Sequence, residues 1–226
     1  MNRFIPRAEE FSSIFGIAIS DAEKRISEFR PNDGRYFNEN GTRRGYLLPL
    51  CFSAVSLILK NATNILEVGT GLGNITNLLA KLFPTAMIYT IDIPAHDKDY
   101  EELAWRNSEK NTMRFKININ RDNIKYIERN SFFLPSMGLP QEFDFIYVDG
   151  GHRYPVVAWD IMFAYNSLRP EGFAFFHDYG PDLNVTPTIE YIRDIIDEEI
   201  RLIYSNATSK HRDVAWLRRL VSERMK

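Results

Sequence analysis

A glycine-rich turn between an apolar strand and a helix is the feature that most limits the folds open to this 226-residue chain. The segment NILEVGTGLGNITNLLAKLF begins with an apolar run, turns at Gly69, Gly71 and Gly73, and continues as a helix that stops before Pro84. Glycines at such a turn let the backbone bend sharply and let a ligand approach the main chain without an intervening Cβ. The segment therefore predicts a strand–turn–helix unit of an α/β domain, with a loop suited to a ligand.

Apolar strands alternate with helical segments along most of the chain. MIYTIDI, IKYIERN, FDFIYV and GFAFFHDY have the character of strands, whereas KDYEELAWRNSEK, YPVVAWDIMFAYNSL and TPTIEYIRDIID have that of helices. Two earlier helices are expected near residues 20–29 and 48–60. The alternation predicts βαβ units and a parallel sheet that is covered on both faces. The last strand candidates, IRLIYSN and DVAWLRRL, lie only about seven residues apart, a gap that suits a hairpin and predicts an antiparallel finish.

An acid at the tip of the second strand extends the glycine loop into a nucleoside pocket. Asp92 ends MIYTID about twenty residues after Gly73, where a carboxylate can accept hydrogen bonds from ribose hydroxyls. The loop has the spacing G-x-G-x-G with Glu67 two residues upstream, which differs from the G-x-G-x-x-G of dinucleotide-binding folds. An acid in that place suits an amino-acid or sulfonium ligand and opposes a pyrophosphate. The alternative is a glycine-rich turn that binds no ligand.

The E-x-G-x-G-x-G pattern of this loop, followed by Asp92, resembles the first motifs of class I methyltransferases that use S-adenosylmethionine. The resemblance implies a three-layer α/β/α Rossmann-like fold with a mostly parallel seven-stranded sheet and an antiparallel last strand. It also implies S-adenosylmethionine as the cofactor, with Asp92 at its ribose and the loop at its methionine part. The loop residues concerned are Glu67, Gly69, Thr70, Gly71 and Gly73.

A second stretch resembles one subgroup of these methyltransferases. FDFIYVDGGHRYPVVAWDIMFAYNSLRPEGFAFFHDY is similar to the pattern D-G-x-H-x-Y, then Asp, P-x-G and H-D-Y, found in sugar and antibiotic O-methyltransferases of the macrocin type. By the same resemblance, the segment ERNS falls where such enzymes contact adenine. Ser131 is then a cofactor-binding candidate, and the alternative for it is a solvated loop residue.

The reaction on a hydroxyl requires the removal of a proton, by a general base or with the help of a divalent metal. His152 follows the carboxyl end of a strand, where open α/β sheets bind ligands, and it is the candidate base, with Asp149 beside it at the catalytic and cofactor site. Asp149 and Asp178, each at a strand end, could together hold Mg²⁺, although His177 next to Asp178 suits Mg²⁺ less well. The alternatives are a helix-capping His152, an Asp149 that only lines the cofactor pocket, and an Asp178 that binds a loop.

For several further residues, a structural role explains the sequence pattern at least as well as a functional role. Asp160 lies in an otherwise apolar helix, where a buried carboxylate needs a partner, and we assign it a structural role. Arg43 and Arg44 are either a solvated pair or a clamp for an acidic substrate. Three aromatic residues could frame an acceptor ring, although such residues are more often part of a core: Tyr154, Trp159 and Tyr179.

Composition restricts the partners and the compartment. Lysine and arginine number 28 against 30 acids, a net charge of −2 that argues against a nucleic-acid partner. The single cysteine, Cys51, allows no internal disulfide and favours a reducing compartment, and no uncharged stretch reaches the ~20 residues of a membrane span. We expect a cytoplasmic protein with no membrane partner, and a homodimer stays open. Residues 1–45 are expected to form a helical lid or extension, and residues 46–226 the cofactor-binding methyltransferase domain.

The function expected from these features is O-methylation of a small hydroxylated acceptor, a sugar or a secondary metabolite, with or without a divalent metal. The same fold also carries N-methylation and the methylation of protein or RNA. A nicotinamide-dependent oxidoreductase is a weaker alternative because the loop spacing disfavours it. A methyltransferase-like binding protein without turnover is a second weaker alternative, because Glu67 and Asp92 are both present.

Overall fold

The computed structural model describes residues 8–29, 47–94, 108–179, 184–195, 200–203 and 213–218. The helices are α1 (Ala8–Phe15), α2 (Ile19–Ser27), α3 (Leu48–Ile58), α4 (Asn74–Leu82), α5 (Glu109–Ile119), a 3-10 helix (Ser131–Ser136), α6 (Val156–Ser167) and α7 (Val185–Ile195). The strands are β1 (Asn64–Val68), β2 (Met87–Asp92), β3 (Ile124–Glu128), β4 (Phe143–Val148), β5 (Leu168–Tyr179), β6 (Ile200–Ile203) and β7 (Asp213–Arg218). Across these ranges, no helix has both the length and the apolar character needed to cross a membrane.

The described strands form one sheet in the order β3-β2-β1-β4-β5-β7-β6. The first five strands of that order are parallel to one another, whereas β7 runs antiparallel to both β5 and β6. From β1 the chain moves outward to β2 and β3, and it then returns to the other side of β1 as β4. This change of direction opens a crevice at the carboxyl ends of β1 and β4, where sheets of this kind bind ligands. The prediction of a mostly parallel α/β sheet is confirmed.

Side chains of the central strands alternate between two apolar layers, which explains why these strands are apolar almost throughout. In β1, Ile65 belongs to the cluster formed with α1, α2, α3 and α4, whereas Leu66 belongs to the cluster formed with α6 and α7. In β4, Phe145 belongs to the first of these clusters and Ile146 to the second. The sheet is therefore the middle layer of three, with helices on both faces.

The N-terminal helices are part of this packing. Phe11 and Phe15 of α1 and Ala22 and Ile26 of α2 are buried in the same cluster as α3, and Ser53 of α3 donates a hydrogen bond of 2.8 Å to the carbonyl oxygen of Ala22. The boundary at residue 45 and the lid function stay predictions. Residues 1–7 and 30–46, which include part of that extension, lie outside the described residues.

The sequence patterns did not predict α1, α5 or the 3-10 helix. Helix α5 has no buried residue, and its Met113 and Ile117 are exposed, so no apolar periodicity marks it. The charged helix expected around residues 98–110 lies mostly outside the described residues. Strand β5 begins earlier than expected, at Leu168, and its register against β4 shifts between Phe143 and Phe145.

Candidate active site

A cavity of about 260 Å³ opens at the carboxyl ends of β1, β2 and β4, in the crevice that the strand order creates. Its wall contains five of the ten residues that the sequence singled out for cofactor, metal and catalysis: Gly69, Asp92, Ser131, Asp149 and His152. The other predicted residues, Glu67, Thr70, Gly71, Gly73 and Asp178, are not in that wall. The fold therefore gathers residues from four distant segments of the chain around one cavity.

The glycine loop between β1 and α4 depends on glycine for its shape. Gly69 has a φ of +97°, and a Cβ there would lie 2.0 Å from the main-chain oxygen of Asp149. Gly71 has a φ of +58° and donates its N–H to Asp92 Oδ2 at 2.8 Å. Gly73, with a φ of +71°, precedes the first residue of α4. The loop thus passes so close to the tip of β4 that a side chain at position 69 has no room.

Asp92 connects the glycine loop to the tip of β2. Its Oδ2 accepts the Gly71 N–H, and its Oδ1 accepts the N–H of Ile93 at 2.9 Å. Asp92 is 7% exposed and lies in the cavity wall. Both observations agree with a carboxylate at the ribose position, and that contact stays a prediction.

Glu67 supports the loop from behind the cavity. Its side chain is fully buried, and Oε2 accepts hydrogen bonds from the hydroxyls of Thr76 and Thr90. The Thr90 proton is used in that bond, so Thr70 Oγ1, at 2.7 Å, donates to Thr90 Oγ1. A contact of Glu67 or Thr70 with the cofactor stays a prediction, since both are directed at hydroxyls of the chain itself.

The pKa of Glu67 follows from its surroundings. Burial raises this pKa from 4.5 to about 8, although the hydrogen bonds from Thr76 and Thr90 lower it. The nearby charges of Asp149 and Asp92 raise it further. Glu67 is therefore mostly protonated at neutral pH, as expected for a fully buried acid.

The opposite wall of the cavity is formed where β3 passes into the 3-10 helix. Asn130 caps that helix by accepting the Phe132 N–H at 3.0 Å, and this fixes Ser131 at its first position. Ser131 is 7% exposed and lies in the cavity wall next to Asn130 and Arg129. The resemblance pointed to the whole ERNS segment at this wall, although it singled out Ser131 and not Asn130 or Arg129.

A cluster of two histidines and two aspartates lies at the mouth of the cavity. His152 Nε2 lies 3.3 Å from Asp178 Oδ2. His177 Nδ1 lies 3.2 Å from both Asp149 Oδ1 and Asp178 Oδ1, and the Tyr147 hydroxyl donates to Asp149 Oδ2 at 3.0 Å. Because β4 and β5 are neighbours, their tips bring together the DGGH and HD segments, as their strand-end positions suggested.

His177 carries a positive charge within this cluster. Burial alone would lower the pKa of His177, but the hydrogen bonds and negative charges of Asp149 and Asp178 outweigh it and raise the pKa to about 10. The imidazolium therefore neutralises part of the charge of two carboxylates that would otherwise repel each other. The sequence led us to treat His177 only as a poor neighbour for a metal, and its role as the cation between the two acids was missed.

The same cluster fits a divalent cation in its donor atoms. Asp149, His152 and Asp178 each offer one ligand atom, and these atoms lie within 4.8 Å of one another. Two carboxylates and one imidazole suit a transition metal better than Mg²⁺, which prefers oxygen ligands throughout. An ion at this place would compete with the His177 imidazolium for the carboxylate oxygens.

The loop that carries His152 is held by the start of α7. The Asn184 side-chain amide donates to the main-chain oxygen of His152 at 3.0 Å, and Thr188 donates to the Tyr154 hydroxyl at 3.0 Å. No sequence pattern pointed to Asn184, because its partner is 32 residues away along the chain. This contact fixes the main chain of the candidate base.

The remaining candidates differ in exposure. Tyr154 and Trp159 are 53% and 39% exposed, so neither belongs to the core. Tyr179 is buried and donates to Glu190 Oε1 at 3.0 Å, as a core residue does. Arg43 and Arg44 lie outside the described residues, so the proposed clamp stays a prediction.

Residues 66–179, which are 114 of the 226 residues and carry the whole cavity wall, match a family model described as a methyltransferase domain. The chain belongs to this methyltransferase family. A curated relative is the uncharacterized protein R132 of Acanthamoeba polyphaga mimivirus, 27% identical over 165 residues that cover 70% of this chain and 71% of that protein.

Solved structures agree with this membership at the level of the fold. The methyltransferase is similar to a putative rRNA-methylase from Clostridium thermocellum, with a TM-score of 0.57, 11% identity and coverage of 78% of this chain and 99% of that chain. It is also similar to the O-methyltransferase TomG from Streptomyces achromogenes, with a TM-score of 0.54, 18% identity and coverage of 95% and 96%. The family match confirms the prediction of a methyltransferase and argues against a nicotinamide-dependent oxidoreductase.

Proposed function

We propose that this methyltransferase transfers the methyl group of S-adenosylmethionine to a hydroxyl of a small acceptor, with His152 as the general base. The observation that carries the proposal is the pair of His152 Nε2 and Asp178 Oδ2, 3.3 Å apart at the mouth of the cavity. A histidine beside a carboxylate, next to a nucleoside-sized cavity, is suited to accept a proton from a weakly acidic hydroxyl.

Apart from this base, the reaction requires few catalytic groups from the protein. The sulfonium donor is already activated, so the enzyme aligns donor and acceptor for an in-line displacement and removes one proton. Asp178 faces Nε2 of His152 and favours the positive charge that the imidazole gains when its other nitrogen takes the proton. Methyl transfer then leaves the sulfur neutral, as S-adenosylhomocysteine, and the acceptor oxygen as an ether.

The cofactor would lie along the cavity from the glycine loop to the 3-10 helix. Gly69 lines the part of the cavity where the methionine part would lie, Asp92 would accept the ribose hydroxyls, and Ser131 would contact the adenine. Asp149, at the tip of β4, is then next to the sulfonium, whose positive charge a carboxylate favours. Gly71, Gly73, Glu67 and Thr70 would act indirectly by holding the loop.

A small acceptor of the sugar or secondary-metabolite class fits the charge and the mouth of the site best. The net charge of −2 does not favour a nucleic-acid partner. TomG, which shares the fold, is described as an O-methyltransferase involved in tomaymycin synthesis. The macrocin-like pattern from Asp149 to Tyr179 supports the same class, whereas the similarity to a putative rRNA-methylase keeps RNA as the second candidate.

Calorimetry with S-adenosylhomocysteine tests the cofactor part of the proposal. The wild-type chain should bind it with a micromolar Kd, and the absence of binding at high micromolar ligand would overturn the proposal. Asp92→Asn should weaken binding at least about tenfold because the amide loses the charged contact to ribose and to the loop. Glu142→Gln, at an exposed site away from the cavity, is the matched control and should bind like wild type.

A turnover assay tests the base. The release of S-adenosylhomocysteine would be measured with a panel of catechols, hydroxylated sugars, amines and a short structured RNA as acceptors. With the best hydroxyl acceptor, His152→Gln should lower kcat about 10²-fold or more while the Kd for S-adenosylhomocysteine changes less than about threefold. A His152→Gln variant with wild-type kcat would show that His152 is not the base. Turnover with the amines or the RNA alone would favour the second candidate.

As an alternative to the His152 base, we further propose that Asp149 and Asp178, with His152 as a third ligand, hold a divalent cation when one is available. A cation there would lower the pKa of an acceptor hydroxyl. Titration of the chelated protein with Mn²⁺, followed by electron paramagnetic resonance, reports binding without any acceptor. Asp178→Ala should abolish the bound Mn²⁺ signal, and EDTA should lower activity until Mg²⁺ or Mn²⁺ is added. Full activity in EDTA together with unchanged activity of Asp178→Ala would exclude the metal.

A further inference from the structure

The main chain that carries His152 follows two glycines. Gly150 and Gly151 separate His152 from Asp149, and glycine is the residue with the most conformational freedom to lose when a loop is ordered. The Asp149 N–H donates to a main-chain oxygen of β1 at 2.7 Å, and the Arg153 oxygen accepts a main-chain N–H of α6 at 3.1 Å. Between these points, among the residues that the structure describes, the main chain of the two glycines and His152 makes one hydrogen bond, at the His152 oxygen. The place of the candidate base therefore depends strongly on that bond.

Asn184, the residue before α7, supplies this bond. Its side-chain Nδ2 donates to the main-chain oxygen of His152 at 3.0 Å. A carbonyl oxygen can only accept, so the contact requires the amide nitrogen of Asn184 and not its oxygen. One helical turn further along, Thr188 donates to the Tyr154 hydroxyl at 3.0 Å, and Thr188 is 6% exposed. Helix α7 thus holds the loop at His152 and again two residues later.

One stretch of chain contacts both the main chain and the side chain of His152. Asp178, at the end of β5, places its Oδ2 3.3 Å from His152 Nε2, and Asn184 follows six residues later. The helix that begins after Asn184 is itself anchored, because Val185 and Ile189 are buried in the apolar layer that contains α6. The Asn184 amide therefore ties the loop to a packed element, beside the carboxylate that faces the imidazole.

We propose that Asn184 is a positioning residue for methyl transfer, which holds the main chain of His152 so that the imidazole stays beside Asp178 at the mouth of the cavity. The inference rests on the proposed function, in which His152 is the general base. Without this bond the two preceding glycines would let the imidazole move, and a displacement of about 1 Å can slow a reaction about 10²-fold. Asn184 is not in the cavity wall, so it acts through His152.

Two variants of Asn184 remove the donor and leave the start of α7 intact. Asn184→Asp keeps the shape of the side chain, and aspartate is as favourable as asparagine before the first residue of a helix, but a carboxylate cannot donate to the His152 oxygen. Asn184→Gly removes the donor without adding a charge, and glycine is also accepted at that position. Asn166→Asp is the matched control, because the Asn166 amide also donates to a main-chain oxygen, that of Met162 at 2.9 Å, on the exposed side of α6 and outside the cavity wall.

The first measurement needs no acceptor. NMR relaxation of the protein with S-adenosylhomocysteine reports the order of the Gly150 and Gly151 amides. Wild type and Asn166→Asp should give order parameters of about 0.85, as for rigid backbone, whereas both Asn184 variants should fall below about 0.6.

The second measurement is a double-mutant cycle on kcat with the best hydroxyl acceptor. Asn184→Asp should lower kcat at least about tenfold, while the Kd for S-adenosylhomocysteine changes less than about threefold. In the His152→Gln background, Asn184→Asp should change the residual kcat less than about twofold, because the residue that it positions is already lost. A merely structural role for Asn184 would lower kcat by the same factor in both backgrounds.

The outcomes separate this inference from the function on which it rests. If the wild-type protein does not bind S-adenosylhomocysteine, or His152→Gln keeps the wild-type kcat, the proposed function fails and the inference fails with it. If His152 is the base but the Asn184 variants keep the wild-type order or the wild-type kcat, or lower kcat equally in both backgrounds, the inference is wrong and the function stands. If Asn184→Asp does not fold, the same comparisons with Asn184→Gly decide. If no acceptor is turned over, the order parameters decide: unchanged order overturns the proposal, and lost order supports it.

Discussion

Replacing Glu67 by glutamine should remove a large part of the pH dependence of stability. The carboxyl of Glu67 is fully buried between β1, β2 and α4, with Thr76 and Thr90 as its donors. Glutamine has nearly the same shape, keeps an oxygen for the two threonine hydroxyls, and does not ionise. The variant therefore isolates the effect of the proton from the effect of packing.

The sign and size of the effect follow from the pKa of Glu67, which burial raises from 4.5 to about 8. Between these two values the folded protein holds a proton that the unfolded chain releases, so the contribution to stability is complete below pH 4.5 and is lost as the pH rises to 8. A difference of about 3.5 pKa units, at ~1.4 kcal/mol per unit, gives about 5 kcal/mol over the full range. Between pH 5 and pH 7 the expected loss is about 2–3 kcal/mol.

Urea unfolding at several pH values between 5 and 8 measures this directly. The free energy of unfolding of wild type should fall with pH more steeply than that of Glu67→Gln, and the difference should grow by about 1.4 kcal/mol per pH unit. Contributions from Asp160 and His177 cancel in the comparison because both chains contain them. Glu142→Gln, at an exposed carboxylate, should keep the wild-type slope. Parallel curves for wild type and Glu67→Gln would refute the assignment of a buried, protonated Glu67.

Two further predictions concern the main chain near the cavity and the far end of the sheet. Gly69→Ala should destabilise the fold by at least about 3 kcal/mol, because its Cβ would lie 2.0 Å from the main-chain oxygen of Asp149. Gly71→Ala, with no atom within 4 Å of its Cβ, should destabilise it by only about 1–2 kcal/mol. Thermal unfolding compares the two variants, and equal shifts in Tm would contradict the geometry. Asp144→Ala should lower the free energy of unfolding by about 3 kcal/mol, because Asp144 accepts hydrogen bonds from two main-chain N–H groups at the start of β1 and from the Arg169 guanidinium at 2.6 Å. A decrease of less than about 1 kcal/mol, measured by urea unfolding, would count against that network.

The sequence predicted the sheet and its crevice because local patterns determine them. Apolar runs ended by glycine or by an acid marked β1, β2 and β4, and the helix-length segments between them required parallel pairing. The positions of Asp92 and Asp149 followed at once, since the carboxyl ends of parallel strands share one edge. For the same reason His152 and Asp178 could be expected to meet, and they lie 3.3 Å apart.

The sequence could not predict the contacts that depend on the orientation of a side chain in the folded protein. Alternation along β1 directs Glu67 to the face that carries α4, where the hydroxyls of Thr76 and Thr90 donate to it, and no local pattern predicted those two donors. Asn184 reaches a main-chain oxygen 32 residues away, and no periodicity encodes such a contact. Helix α5 was missed because it buries no apolar side chain, so hydrophobic spacing carried no information about it.

The acids of this site are of two kinds, which differ in how deeply they are buried. Asp92 and Asp149 lie in the cavity wall, where they accept hydrogen bonds from a main-chain N–H group or a hydroxyl, and they are suited to bind ribose hydroxyls and a sulfonium. Glu67 and Asp160 stand behind the wall, fully or almost fully buried, and burial raises both pKa values toward neutrality. Glu67 accepts hydrogen bonds from the hydroxyls of Thr76 and Thr90, so it decides which way those two hydroxyls face. A variant at Glu67 should therefore change the pH dependence of stability before it changes the shape of the cavity.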